Sequence, residues 1–199
     1  MPEGPSIVIL KEEVEKFVGR KALAVTGNTK TIELDRLLNK KVIDIKSWGK
    51  HFLICFNGFT VRIHFLLFGS YSIDVPKENR LIRLHLKFTN GEINFYACSV
   101  KILEGDVNDH YDWSTDVMND QWDKKKAKEK IKEIPKALIC DTLLNQNIFA
   151  GVGNIIKNEV LFRVGVHPES KNGKISAVKL NQIIREARNY SFDFLQLLV

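Results

Sequence analysis

The chain reads as an α+β protein, a helix and a strand-rich sandwich or barrel followed by an all-helical module. Three observations carry that reading. Apolar residues Ile7, Leu10, Val14 and Phe17 recur at helical spacing near the start. Residues 21–104 turn to strand patterning, with two Asn-Gly pairs, Asn57-Gly58 and Asn90-Gly91, between apolar runs. Beyond Asp123 the period returns to helical and stays so to the end of the sequence.

In order, Ser6 is placed to cap the first helix and Gly19 to end it. Residues 42–45, 51–56, 60–64, 81–88 and 92–97 are rich in β-branched and aromatic side chains and predict strands. Residues 106–123 are acidic, dotted with aromatics and without clear period, so they read as a linker between a domain at 1–105 and another at 124–199. The Lys-rich run from Asp123 to Glu133 predicts a helix ending before Pro135, most simply a solvated face, although it could also lie along a phosphate backbone. Ala137–Phe149 and Ile155–Val164 read as buried helices. Residues 176–199 read as a third, with Leu180, Ile183, Ile184 and Ala187 on its apolar side.

At 199 residues with 44% hydrophobic and 27% charged residues, the chain is long enough for one good core or two small ones. A formal net charge of +6 mildly favours a polyanionic partner. No basic-then-apolar leader and no bilayer-length apolar run is present, so a soluble intracellular protein without membrane contact is expected, working as a monomer. Cys55, Cys98 and Cys140 are odd in number, far apart and set among apolar residues, which suits reduced thiols.

Four stretches carry candidate chemistry. In Met1-Pro2-Glu3-Gly4-Pro5, removal of Met1 would free a secondary amine with a pKa near 7.7–8.0, as for α-amino groups. Such an amine attacks a sugar C1′ or an aldehyde to give an iminium that serves as an electron sink, with Glu3 at hand for proton transfer. The plainer alternative is a solvated chain start. Gly151-Val152-Gly153-Asn154 separates two apolar helices and is a candidate phosphate cradle, with Asn154 adding a donor, or an ordinary interhelical turn. Lys50, beside Gly49 at the mouth of a strand, can reach a phosphate or protect an edge. Leu66, Leu67 and Phe68 before Gly69 form either a base-stack wedge or core.

Taken together, Pro2-Glu3-Gly4-Pro5, Gly49-Lys50, His64 through Gly69, and Leu143 to Gly165 with its Gly-Val-Gly-Asn turn resemble the formamidopyrimidine-DNA glycosylase and endonuclease VIII family over nearly the whole chain. The resemblance implies an N-terminal helix plus two-sheet β-sandwich domain followed by an all-helical helix–two-turn–helix DNA-binding domain. It implies base-excision repair: Pro2 attacks C1′ of a damaged nucleoside, the base leaves, and the strand is nicked by β- and δ-elimination. Glu3 is then the proton-transfer group, Lys50 counts with Pro2 and Glu3 among the catalytic residues, and Lys50, His64, Gly151, Gly153 and Asn154 face phosphates. Leu66, Leu67 and Phe68 fill the void. The implied partner is double-stranded DNA with a damaged base or abasic site, and the implied location is cytoplasmic, with the nucleoid. The Pro-Glu-Gly-Pro start resembles the endonuclease VIII side, which favours oxidised pyrimidines.

Three departures qualify the resemblance. The sequence stops at Val199 without the family's zinc ribbon, so no cofactor is expected in this chain and an incomplete or non-catalytic damaged-DNA-binding protein is the alternative. Ser6 stands where many members carry Glu. Lys101 is the lone cation near the position that often carries an arginine facing the orphaned base.

Overall fold

The computed structural model describes residues 2–199. Its first helix, α1 (Gly4–Glu13), begins three residues earlier than a Ser6 cap would place it, because Pro5 fits the first turn of a helix with its fixed φ and absent N–H. After Glu13 the chain tightens into a 3₁₀ turn over Glu15–Phe17, and Gly19 then takes a φ of +81°. The chain divides into two units: Pro2 with residues 10–111, and residues 3–9 with 112–199. The boundary thus falls between Tyr111 and Asp112, and α1 is shared by both units.

In the first unit eight strands form two antiparallel sheets. They are β1 (Ala24–Thr26), β2 (Asp44–Trp48), β3 (His51–Phe56), β4 (Phe59–His64), β5 (Ser70–Ile73), β6 (Ile82–Phe88), β7 (Gly91–Tyr96) and β8 (Ser99–Glu104). One sheet runs β1-β6-β7-β5 and the other β2-β3-β4-β8. Leu84, Leu86 and Phe88 of β6 alternate inward, as a period of two demands, and Phe52 meets Phe95 across the sandwich with ring centroids 5.8 Å apart. The central strands match the sequence expectation within two residues. The three unforeseen strands, β1, β5 and β8, are all edges, where short length in β1 and β5 and mixed polarity in β8 erase the alternating signal.

Asn57-Gly58 forms the two-residue turn between paired Phe56 and Phe59, with Gly58 at φ +82°. At the second pair the turn is Thr89-Asn90, and Gly91 already pairs with Phe88 as the first residue of β7.

In the second unit, α2 (Lys124–Glu133) is capped by Asp123, whose carboxylate accepts the Lys125 and Lys126 N–H groups. The helix expected over Ala137–Phe149 shrinks to α3 (Ile139–Leu144), since the Asn145 side chain accepts the Asn147 N–H and diverts the chain into a turn. Next come α4 (Asn154–Val164), ended by Gly165 at φ +65°, and α5 (Ala177–Leu198), whose Ser176 hydroxyl accepts the Lys179 N–H. Phe149, Ile156, Val160, Ile183 and Ala187 are fully buried at the centre of this unit. The stretch 112–123 is no loose linker: Thr115, Asp116 and Val117 are buried, and the Val117 N–H donates to Ala150 O. Among the described residues, no helix is long and apolar enough to cross a membrane.

A polar clasp joins β3 to Tyr111 within the first unit. His51 Nδ1 lies 3.1 Å from the Tyr111 hydroxyl, and its ring meets His64 edge-on at 5.4 Å. Burial, then the nearby Arg62 charge, pushes the His51 imidazole down to about 3, so it is neutral at neutral pH. In the unfolded chain a histidine titrates near 6.5. The unfolded state therefore takes up a proton that the folded state refuses as pH falls through that window, and stability present above pH ~6.5 is lost toward pH ~3. His51→Gln is expected to flatten the fall of the unfolding midpoint over that range. An identical pH slope in the variant would contradict the assignment.

Candidate active site

The first turn of any helix leaves backbone N–H groups without partners, and a side chain at the N-cap normally accepts one. The N-cap of α4 is Gly153, which has no side chain to offer. The acceptor comes instead from the far end of the sequence. Glu3 is 2% exposed, and its Oε2 accepts from the N–H groups of Gly153 (2.9 Å) and Ile156 (3.2 Å) while Oε1 accepts from Ile155 (2.8 Å). These are charge-assisted bonds at the positive end of a helix dipole, the setting in which a buried carboxylate is stabilised.

Two glycines make room for this arrangement. A Cβ on Gly153 would fall inside the Glu3 carboxylate, and a Cβ on Gly4 would come to 3.1 Å from Gly151 Cα. The Gly4 N–H donates to Gly151 O at 2.9 Å, and Gly151 itself has φ +98°. The Glu-Gly at the chain start and the Gly-x-Gly before α4 are thus two halves of one contact.

This geometry corrects the expectation that Gly151 and Gly153 cradle a phosphate. The Gly153 N–H is committed to Glu3 and the Gly151 N–H to Gln146 Oε1 at 3.0 Å, so neither points at a ligand. Asn154 is different. It is exposed at the start of α4, its Oδ1 accepts from Lys157 Nζ at 3.0 Å, and its amide nitrogen remains a donor beside that ammonium.

The remaining candidates lie in the first unit. Lys50 and Gly49, at φ +53°, form the two-residue turn between paired Trp48 and His51, which puts Lys50 at a hairpin tip. His64, paired with His51 at the end of β4, is close enough to Lys50 for their charges to interact. Burial, then Lys50 and Arg62, holds the His64 imidazole below its ordinary pKa. Its Nδ1 accepts the Leu66 N–H at 3.3 Å, which leaves Nε2–H as a neutral outward donor.

Leu66, Leu67 and Phe68 are 48%, 64% and 81% exposed, whereas Phe65 is buried. The chain has left the strand here, so alternation no longer applies and all three project together. Leu66 adopts φ +53°, a conformation that costs a branched side chain roughly 1–3 kcal/mol. Gly69 closes the loop by donating its N–H to Phe65 O at 2.7 Å, where a Cβ would collide with that oxygen.

The structure therefore gathers Glu3, Gly151, Gly153 and Asn154 in one unit, and Lys50, His64 and Leu66–Phe68 in the other. Pro2 precedes Glu3 directly and is half-buried. Met1 lies outside the described residues. Sequence reasoning missed Gln146, which fastens the turn by accepting from Gly151 and donating to Leu144 O and Val152 O. Its place inside the polar run Asn145-Gln146-Asn147 ahead of Gly-x-Gly gave no sign of which of the three would fasten the turn. Backbone donors such as those of Ile155 and Ile156 leave no trace in side-chain identity. Among the described residues no group of three or more His, Cys, Asp or Glu converges to hold a metal ion.

Residues 1–99 match the family model of the formamidopyrimidine-DNA glycosylase N-terminal domain, and residues 114–190 match that of the formamidopyrimidine-DNA glycosylase H2TH domain. Endonuclease 8-like 3 of Mus musculus is 31% identical over 170 residues, spanning 81% of this chain and 28% of that protein. Endonuclease 8 of a Salmonella schwarzengrund strain is 26% identical over 199 residues, spanning 92% of this chain and 75% of that protein. The chain thus spans less than a third of the mouse protein's length. Among solved structures, Lactococcus lactis Fpg (MutM) in complex with DNA containing an oxidised pyrimidine superposes with a TM-score of 0.85 at 22% identity, covering 98% of this chain and 80% of that one.

Gly153→Ala is expected to expel the Glu3 carboxylate from the α4 terminus and to lower unfolding free energy by about 1.5–3 kcal/mol for each charge-assisted bond lost. In a Glu3→Ala background the same substitution should cost far less, because no carboxylate is left to displace. Equal costs in the two backgrounds, measured by denaturant unfolding, would refute the steric account.

Proposed function

The chain belongs to the formamidopyrimidine-DNA glycosylase and endonuclease VIII family, and on that basis we propose that it is a base-excision repair DNA glycosylase with AP lyase activity, acting on oxidised pyrimidines in duplex DNA. The observation that carries the reading is the buried Glu3 carboxylate fixed on the α4 terminus one residue after Pro2. Removal of Met1, part of this proposal, frees the Pro2 nitrogen.

The amine lone pair attacks C1′ as the glycosidic C–N bond breaks and the base leaves with that bond's electron pair and a proton. Opening of the sugar, with a proton delivered to O4′, converts the adduct to an iminium. Loss of a C2′ proton and departure of the 3′ phosphate make the β-elimination, and a second loss releases the 5′ phosphate. A carboxylate offers about four lone-pair positions. Three of Glu3's are filled by N–H donors, two of them on Oε2, so the proton moves through the remaining position on Oε1.

The other groups take roles their surroundings suit. Lys50, the His64 Nε2–H and Asn154 are donors for phosphates around an extruded nucleotide, which must be held while the duplex is deformed. Leu66, Leu67 and Phe68 fill the space it leaves, as apolar wedges do in kinked DNA. The strain at Leu66 and the exposure of all three have no counterpart in packing, which supports that use. The proposal draws on no cofactor in this chain, and it places the protein inside the cell as a monomer on DNA.

Glu3→Gln tests the reading by separating its two chemical steps. Excision of an oxidised pyrimidine should slow by about 10²–10⁴-fold, the usual weight of a positioned acid–base group. Nicking at a preformed abasic site, where the aldehyde needs no base departure, should survive in large part. Excision at the parent rate by a folded variant removes Glu3 from the chemistry, and a parent protein that binds damaged duplex without cutting it favours the binding-only alternative.

A further inference from the structure

The Lys-rich helix α2 places positive charge where helix energetics oppose it. Lys124, Lys125 and Lys126 occupy its first turn, no acidic residue accompanies them there, and cations at a helix N-terminus oppose the macrodipole. Two lysines of this helix have structural work. Lys126 donates to Asp112 at 2.7 Å and to Ser114 Oγ at 2.9 Å, and Lys130 donates to Asn147 O at 2.6 Å. Lys124, Lys125 and Lys128 face elsewhere, lining a groove between the start of α2 and the middle of α5, and make no ion pair among the described residues.

The groove has a volume of about 1150 Å³, more than a small-molecule pocket usually needs, and it is partly open to solvent. From α5, Arg185 and Arg188 add two cations to the three lysines. Asp120 and Asp123 are the acidic residues of the lining, and Asp123 is occupied with capping α2. Asp120 lies 4.0 Å from Arg188, and Arg185 donates to its neighbour Glu186 at 3.4 Å, which leaves the three lysines as the cations without an ion pair among the described residues. Arg188 is held in place by donating to Val117 O and Asn119 O. Between the charges the lining is apolar, with Trp122, Val178 and Ile184, and amides on α5 supply further donors.

From this lining we infer that the α2–α5 groove binds a single-stranded nucleic acid, separately from the chemistry at Pro2 and Glu3. Unpaired lysines one helical turn apart, such as Lys124 and Lys128, suit successive phosphates of one strand. The apolar floor with Trp122 suits base faces, and a cationic groove with an aromatic platform is how single strands are held without sequence preference. A duplex keeps its base faces stacked, and an acidic peptide has none, so neither uses the apolar half of the groove.

The test is fluorescence anisotropy of the full chain with a short labelled oligothymidylate over a range of salt concentrations. It compares the parent with a Lys124→Ala/Lys125→Ala/Lys128→Ala variant, whose alanines favour the helix. With about 0.7 counterions released per single-strand phosphate contact, the slope of log affinity against log salt should shrink by about 2. A triple Lys→Arg variant should keep the parent slope. Nicking of an abasic duplex, followed in parallel, should not change in either variant, and Glu3→Gln should keep its oligothymidylate binding. An unchanged slope in the alanine variant overturns the inference. So does a larger lysine-dependent loss for a hairpin duplex, polyglutamate or inorganic polyphosphate than for oligothymidylate.

Discussion

Everything in the second unit turns on one buried charge and three backbone donors. A helix starting on glycine leaves its first-turn N–H groups unsatisfied, and a carboxylate buried alone is costly. Glu3 and α4 remove both penalties at once, at 2.8–3.2 Å. The neighbouring sequence follows from that contact. Gly4 and Gly151 let two backbones approach, Gly153 leaves space for the carboxylate, and Gln146 holds the turn from behind. Removing the carboxylate would leave these donors without their partner, two of them in buried bonds, so the contact carries structure whatever chemistry is proposed for it.

In the first unit the constraint is electrostatic. Two histidines, Arg62 and Lys50 crowd the ends of β3 and β4, and the imidazoles accommodate the cations by staying neutral. A neutral His64 can accept the Leu66 N–H with one nitrogen and present the other as a donor, which ties the strained, exposed loop 66–68 to the strand it leaves. Lys50 sits in the hairpin turn beside these two rings, between paired Trp48 and His51.

Much of this was legible in the residues. The central strands announced themselves by alternation, and α4 and α5 by their period. The exposure found at Leu66, Leu67 and Phe68 was foreseeable for at least one of them, because three consecutive apolar residues before a glycine cannot all be core in a strand. Edge strands β1, β5 and β8 were not visible, since the first two are short and half-buried or exposed and the third, though six residues long, is buried at Val100 alone and carries no clean pattern. The role of Gly-Val-Gly was misread for a physical reason: glycines with available N–H groups look alike whether they serve a phosphate or a carboxylate of the same chain. The choice depends on a partner 150 residues away in sequence, and no local pattern encodes it.

The central claim is that the nucleophile is the nitrogen of Pro2. Borohydride reduction of the protein mixed with duplex DNA bearing one abasic site, followed by proteolysis and mass mapping, tests it directly. The account predicts a covalent adduct on the N-terminal peptide at Pro2, absent from a form that retains Met1. An adduct mapped to a lysine, or one that persists when Met1 is retained, would contradict it.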